Sequence, residues 1–194
     1  MPILGIIASS ASPNVFANSY ESISTVTVGA GGVSSITFSS IPATYTHLQI
    51  RGFVQTNRGT YGIDSLAIQL NADTGATNYA YHLAWGDGSA ANASGLGDTG
   101  QLFNLSGSIG TVTGSSYSGL IIDLLDYSNT NKYKTARAAS GVDINGTIAG
   151  LGGRVGIYSG LWKNTNAISS VSFAPSTGTL FTQYTQFALY GIKG

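Results

Sequence analysis

The sequence lacks cysteine and contains very little charge. Lys and Arg together number 8, as do Asp and Glu, so 8% of the 194 residues are charged, against about 25% in an ordinary globular domain. Without cysteine the chain can form neither disulfides nor thiolate metal sites. The formal net charge is +0, and the Lys and Arg residues are scattered. Attraction to a phosphate backbone therefore has no source, and no nucleic-acid partner is expected.

Long hydrophobic runs are also missing. The N-terminal sequence MPILGIIASSAS contains one apolar run, at residues 3–8, with no basic stretch before it. Such a run is too short for a secretory signal and far too short to cross a bilayer. We therefore expect a protein that begins near Met1, is made without a signal peptide and has no membrane partner.

Ser, Thr, Asn and 27 glycines take the place of charged residues, and hydrophobic residues make up 42% of the chain. Low charge alone would suit a disordered chain, but disorder also requires low hydrophobicity. With 11 Tyr, 7 Phe and 2 Trp the chain has enough material for a core. A net charge near zero favours association over repulsion, so we expect a homo-oligomer, either a dimer or a trimer.

Alternating or β-branched runs closed by Gly, Asn, Asp or Ser recur along the chain, and helical periodicity is almost absent. This pattern predicts an all-β protein, a jelly-roll-like antiparallel β-sandwich of about ten strands at residues 20–194. Residues 1–19 are predicted to form a short extended N-terminal arm. Three local expectations accompany this prediction: a hairpin turn at residues 29–32, an exposed loop at 86–100, and a central strand at 118–127 covered on both sides.

Residues for nucleophilic catalysis are not arranged in a recognisable pattern. The G-x-S-x-G elbow of serine hydrolases is absent, and the only two histidines are His47 and His82. Both are interpreted as ordinary strand histidines, and no third ligand accompanies them to hold a metal. No catalytic residue, cofactor or metal ligand is therefore predicted.

The nearest pair of carboxylates is Asp123 and Asp126, in the sequence IIDLLDY. Their odd separation places them on opposite faces of a strand, which does not suit the paired carboxylates of a glycosidase. Asp126 is interpreted as a turn residue. Asp123 has apolar neighbours and is expected to pair with Arg51 or Arg137.

Two glycine-containing segments resemble binding loops only in part. GLGGRVG at residues 150–156 departs from G-x-G-x-x-G spacing and precedes no helical pattern, so a hairpin or bulge is predicted there. DING at residues 143–146 matches a fragment of a calcium loop, but the remaining ligands and the distal Glu are missing. Calcium binding stays an open alternative.

Exposed aromatic side chains can stack on sugars or on protein partners. We single out Tyr81, Trp85 and Trp162 as candidate contacts with a glycan or a protein partner. The competing interpretation is that most aromatic residues pack in the core or between subunits. A cluster near Trp85 at the end of a loop would favour glycan binding.

Several segments together resemble a group of small structural proteins from the virions of tailed bacteriophages, including cyanophage-like viruses. They are SYESISTVTVGAGGVSSITFSSIPATYTHLQIRG at 19–52, LLDYSNTNKYKT at 124–135, SGLWKNTNAISSVSF at 159–173, FALYGIKG at 187–194 and the opening LGIIASS. The resemblance covers most of the chain, but it lies in strand and turn motifs and brings no catalytic residues with it. It implies a β-sandwich on the exterior of a virion, made in the host cytoplasm.

The leading hypothesis is a non-enzymatic capsid decoration, or cement, protein that stabilises the shell and whose partners are the major capsid protein or other virion proteins. Its capsid-docking arm would present Ile3, Leu4, Ile6 and Ile7. The alternative is a tail or head fibre module that recognises a host surface glycan through aromatic residues and the 86–100 segment. A glycan-degrading enzyme is not favoured because no acid and base pair stands out.

Overall fold

The computed structural model describes residues 19–102, 106–144 and 152–193. Within these ranges all regular structure is β: twelve strands form a jelly-roll-like β-sandwich, as the alternation predicted. The strands are β1 (Tyr20–Thr27), β2 (Ile36–Phe38), β3 (His47–Thr56), β4 (Ile63–Leu70), β5 (Tyr79–Gly86), β6 (Ala91–Thr99), β7 (Ser106–Thr111), β8 (Ser118–Leu125), β9 (Lys134–Asp143), β10 (Gly153–Trp162), β11 (Val171–Pro175) and β12 (Gln186–Ile192). The arm predicted at residues 1–19 lies, except for Ser19, outside the described residues.

The strands form two layers of unequal size. The large sheet is antiparallel, in the order β1-β12-β3-β8-β9-β10-β5-β6, and the small sheet has the order β2-β11-β4-β7. The last two residues of β3 join the layers, because Gln55 and Thr56 pair in parallel with the end of β7.

The core lies between the two sheets, where alternate side chains of most strands point inward. In β8, for example, Leu120, Ile122 and Leu124 are buried. The two layers meet through aromatic contacts: Phe173 of the small sheet stacks on Phe187 of the large sheet with ring centroids 4.7 Å apart. Such a pair adds about 0.5–1.5 kcal/mol beyond the area that it buries.

Three local expectations, at residues 29–32, 86–100 and 118–127, were wrong. Residues 29–32 do form a turn, in which the amide of Gly32 donates to the carbonyl of Gly29, but it does not close a hairpin. It leads from the large sheet to the small one, because β1 pairs with β12 and β2 pairs with β11.

The predicted loop at residues 86–100 contains β6, which pairs with β5. Nearly all of β6 is exposed, so neither face needs apolar side chains and the strand shows no alternation. A tight turn begins it: Asp87 Oδ1 accepts hydrogen bonds from the amides of Ser89 and Ala90, and Gly88 adopts a left-handed φ of 88°.

The strand predicted at residues 118–127 is observed as β8, but it is covered on one face only. Its near-continuous apolar run led to the expectation of two covered faces. Instead Ile121 points away from the core and is 44% exposed. Among the residues that the structure describes, no second layer covers that side of the large sheet.

The buried carboxylate of Asp64 holds the turn that follows β11 through hydrogen bonds. Asp64 is 1% exposed. Its Oδ1 accepts hydrogen bonds from the amides of Ser65 and Thr177, and its Oδ2 accepts from the hydroxyl of Thr56 and the amide of Gly178. Four donors surround one carboxylate, so its removal leaves several buried polar groups without partners.

We expect Asp64→Ala to lower the free energy of unfolding by about 3 kcal/mol, because buried donors lose a charged acceptor. Asp98→Asn is the control, since Asp98 is exposed and bound only to Lys163 among the described residues, and Asn tolerates its left-handed φ of 57°; it should cost less than about 1 kcal/mol. Urea unfolding of both variants measures the difference. Equal losses would contradict the structural role assigned to Asp64.

Candidate functional site

The outer face of the large sheet carries an open groove of about 900 Å³. Its floor is aliphatic: Ile121, Ala139, Ile157, Ala84 and Ala93 lie side by side on β8, β9, β10, β5 and β6. Ile157 is 67% exposed, although it sits in the middle of a sheet. An aliphatic surface of this kind on a chain in water is typical of an interaction site.

A polar row borders the groove on one side. It crosses the same strands one side-chain step away and comprises Gln49, Asp123, Arg137, Ser159 and His82. Asp123 is held within the row, because Gln49 Nε2 donates to its Oδ1 at 2.8 Å and Arg137 Nη2 lies 3.6 Å from its Oδ2. Of the two arginines expected beside Asp123, the structure pairs it with Arg137.

Arg51 instead points toward the other end of the sheet. Its Nε donates to Gln49 Oε1 at 2.9 Å, and its guanidinium lies over the rings of Tyr20 and Tyr190, at 5.3 and 5.8 Å from their centroids. This cation–π arrangement ties the edge strand β1 to β3 and β12.

The second carboxylate of the sequence pair has different partners. Asp126 lies in the turn after β8, with a backbone φ of 47°, and forms an ion pair with Lys132. That hydrogen bond holds the pKa of Asp126 below its usual range. Asp123 and Asp126 therefore belong to two separate local networks. Asp126 is a turn residue, as predicted, and does not lie on a face of β8.

The two histidines lie in different surroundings. His47 Nδ1 accepts a hydrogen bond from the amide of Asp126 at 2.9 Å. His82 is exposed and lines the groove. Among the described residues no group of three or more metal-binding side chains comes together. Asp143 ends β9, whereas residues 145 and 146 of the calcium-like fragment lie outside the described residues.

Two of the three aromatic residues proposed as contacts are buried. Tyr81 is 8% exposed and Trp162 is 1% exposed, because both belong to the inward-facing set of their strands. Their expected exposure was wrong. Trp85 is partly buried, and Arg154 covers its ring with the guanidinium carbon 4.3 Å from the centroid.

A hydrogen-bonded cluster explains why Trp162 points inward. Its Nε1 donates to Asp73 Oδ2 at 2.7 Å, and its ring stacks on Tyr79. The backbone amide of Gly75 and the side-chain amide of Asn78 also donate to the Asp73 carboxylate. Burial raises the pKa of Asp73, but these hydrogen bonds outweigh it and hold the pKa below the ordinary 3.8. Burial raises the pKa of Tyr79 to about 12.

A second, more polar concavity of about 500 Å³ lies at the ends of β5, β9 and β10. Asp87, Tyr117, Asp143 and Arg154 line it, next to Trp85. Burial lowers the pKa of Arg154, and its Nε is buried without a hydrogen-bond partner in the described part of the chain. This concavity offers carboxylates, a guanidinium and a phenol to a polar ligand.

Sequence reasoning did not identify the exposed aliphatic residues on the outer face of the large sheet. Ile121, Val155 and Ile157 were interpreted only as parts of strands. A signal was present: β8 and β10 carry large apolar residues at both parities, which a strand with one solvent face does not require. The predicted arm residues Ile3, Leu4, Ile6 and Ile7 lie outside the described residues, so their docking role stays a prediction.

Comparisons with known proteins assign no family. No protein-family model matches the chain, and no curated protein matches it. Among solved structures, the chain is similar to a GH43 glycoside hydrolase whose engineered active site displays both endo-xylanase and exo-arabinofuranosidase activity, with 15% identity and a TM-score of 0.30. The similarity covers 87% of this chain and 34% of that one, so this chain spans about a third of its length. A likeness at this level carries no functional argument.

The described ranges contain no helix long and apolar enough to cross a membrane.

Acid should weaken the fold through Asp73. Its pKa is lower in the folded than in the unfolded chain, so the stability it contributes is present above about pH 4 and is lost as the pH falls through the folded pKa. Asp73→Asn removes that titration. We expect the free energy of unfolding of this variant to fall less steeply between pH 5 and about pH 2 than that of the wild type. Parallel slopes in urea unfolding would contradict this assignment.

Proposed function

We propose that this protein is a non-enzymatic structural protein of a virus particle, a capsid decoration protein that binds the outside of a protein shell. The observation that carries the proposal is the aliphatic groove on the large sheet. Ile121 and Ile157 are 44% and 67% exposed there, and their burial against other protein chains would stabilise the contact by about 25 cal/mol per Å² of apolar surface.

The charge deficit supports the same conclusion. The groove is bordered by one ion pair, between Asp123 and Arg137, and the chain as a whole is neutral. Contacts with so little charge depend weakly on ionic strength, which suits a particle that meets variable media. The sequence resemblance to virion proteins supplies the kind of assembly.

In this proposal the sandwich and the arm have separate tasks. The arm, with Ile3, Leu4, Ile6 and Ile7, docks on the capsid as an extended apolar peptide. The groove then contacts neighbouring protein on the surface of the shell. A decoration protein must bind many symmetry-related places, and a rigid module on a short arm meets that requirement.

Deletion of residues 1–17 tests this division. Particles stripped of the chain are mixed with purified full-length or truncated protein, and occupancy is measured by quantitative electrophoresis of the particles after sedimentation. We expect occupancy to fall at least about tenfold, because four buried apolar side chains are worth several kcal/mol. Circular dichroism confirms that the truncated sandwich is folded. Unchanged occupancy would contradict arm docking, and no binding of the full-length protein would contradict the proposed function.

A second candidate function, recognition of a host surface glycan by a fibre module, is favoured by the polar concavity beside Trp85. Carboxylates and a guanidinium suit sugar hydroxyls, and the Trp85 ring positions the Arg154 guanidinium that lies over it. The glycan-array signal of the purified protein should then be saturable and fall at least about tenfold in Trp85→Ala, because Arg154 loses the ring that positions it. Tyr184→Ala, at an exposed tyrosine elsewhere, is the control. Absence of any saturable signal would rule out this candidate.

A further inference from the structure

We propose that the groove is an interface between two copies of this chain, packed face to face about a two-fold axis that runs along the strands between β9 and β10. This inference rests on the proposed function, since it names what covers the face on which that function depends. It follows from the order of side-chain sizes across the sheet.

The middle row of the face has large and small residues at complementary positions on the two sides of β9 and β10. The ladder from β3 to β6 places Arg51, Ile121, Ala139, Ile157, Ala84 and Ala93 next to one another in that order. A two-fold axis between Ala139 and Ile157 reverses this order in the second copy. Every large residue of the row then faces a small one.

In the central contacts of the dimer, a large side chain therefore packs against a small one. Ile157 faces the partner's Ala139, and Ile121 faces the partner's Ala84. Each contact occurs twice, as an isologous interface requires. Packed sheets align within about 30°, so the pairs nearest the axis stay opposite each other.

The neighbouring row on the apolar side follows the same rule. From β3 to β6 it contains Phe53, Gly119, Gly141, Val155, Gly86 and Ala91. The axis places Val155 opposite the partner's Gly141 and Phe53 opposite the partner's Ala91. Phe53 and Val155 are 54% and 66% exposed, and the dimer gives both of them a small residue to pack against.

Charge is also complementary in this arrangement. In the polar row Asp123 faces the partner's His82, and Arg137 faces the partner's Ser159. The axis brings no like charges opposite each other. A carboxylate opposite an imidazole is a hydrogen-bonding pair, and Asp123 keeps its bonds to Gln49 and Arg137 within its own chain.

The area of the proposed interface is typical of a reversible dimer. Six strands spaced about 4.8 Å apart and three rows about 6.8 Å apart cover a footprint of about 600 Å² on each copy. Standard interfaces bury about 800 Å² per partner. We therefore expect a dissociation constant of order 10 μM, which corresponds to about 7 kcal/mol, and further contacts on the particle would strengthen it.

The groove suits protein better than sugar. Its floor consists of isoleucine and alanine, which offer no flat ring to a sugar face, whereas aromatic platforms dominate such sites. The partly exposed Trp85 and its polar neighbours lie outside the lining of the groove.

Sedimentation equilibrium of the full chain from about 1 to 300 μM tests the dimer, with Ile157→Asp as the disrupting variant. The substitution occurs twice in the interface, so we expect the dissociation constant to rise at least about 100-fold. Val112→Asp, at an exposed valine elsewhere, is the matched control and should leave the constant within about threefold of the wild type.

A swap of sizes tests the axis itself. Ala139→Ile places two isoleucines opposite each other, and Ile157→Ala leaves a gap, so each should weaken the dimer about tenfold. The double variant A139I/I157A restores one large and one small residue at each contact and should return to within about threefold of the wild type. Non-specific apolar association would instead be strengthened by Ala139→Ile, and that result would overturn the proposed axis.

A wild-type chain that is monomeric throughout this range would also overturn the inference. If that monomer still binds stripped particles and loses binding in Ile157→Asp, the groove contacts a different virion chain and the proposed function stands without the dimer. A dimer with the expected swap behaviour that does not bind particles would leave the inference in place and contradict the proposed function.

Discussion

The structure depends on one imbalance: an eight-stranded sheet is packed against a four-stranded one. Both layers meet through inward-facing side chains such as Phe173 and Phe187, and this contact supplies the core. In the described part of the chain, the outer face of the large sheet has no corresponding layer. In an isolated domain that face would be expected to carry polar side chains, yet its centre is aliphatic around Ile121 and Ile157. The two layers therefore form the core, whereas the aliphatic centre of the outer face is exposed in the described part of the chain.

The shortage of charge has the same physical basis. Surfaces that remain in water usually carry interspersed charges, which keep molecules apart. Here 8% of residues are charged, and the outer face is supplied with alanine, glycine and a few branched aliphatic residues. Turn-forming residues account for part of the composition, as at Asp87 and Gly88. Exposed isoleucine and valine in the middle of a sheet have no such local explanation, and they are the residues that the proposed function places in contact with other protein chains.

Much of the fold was predictable from the sequence, because side chains in strands such as β8, β9 and β10 alternate between core and exterior. The pairing of β1 with β12 was not predictable, since it joins the two ends of the described chain. The strand β6 was not predicted, because it is exposed on both faces and shows no alternation. For the site, alternation within one strand cannot tell which parity faces the core, so Tyr81 and Trp162 were assigned to the wrong side. The groove combines residues from five strands and becomes visible only when register is known.

The central claim is that the aliphatic face of the large sheet is covered by protein in the assembled particle. Carbene footprinting of intact particles, compared with the dilute free chain, measures this directly at single side chains. We predict that Ile121, Val155 and Ile157 are labelled in the free chain and protected at least about fivefold in the particle, as buried interface cores are, while Tyr184 is labelled equally in both. Equal labelling of the three aliphatic residues in particle and free chain would contradict the claim.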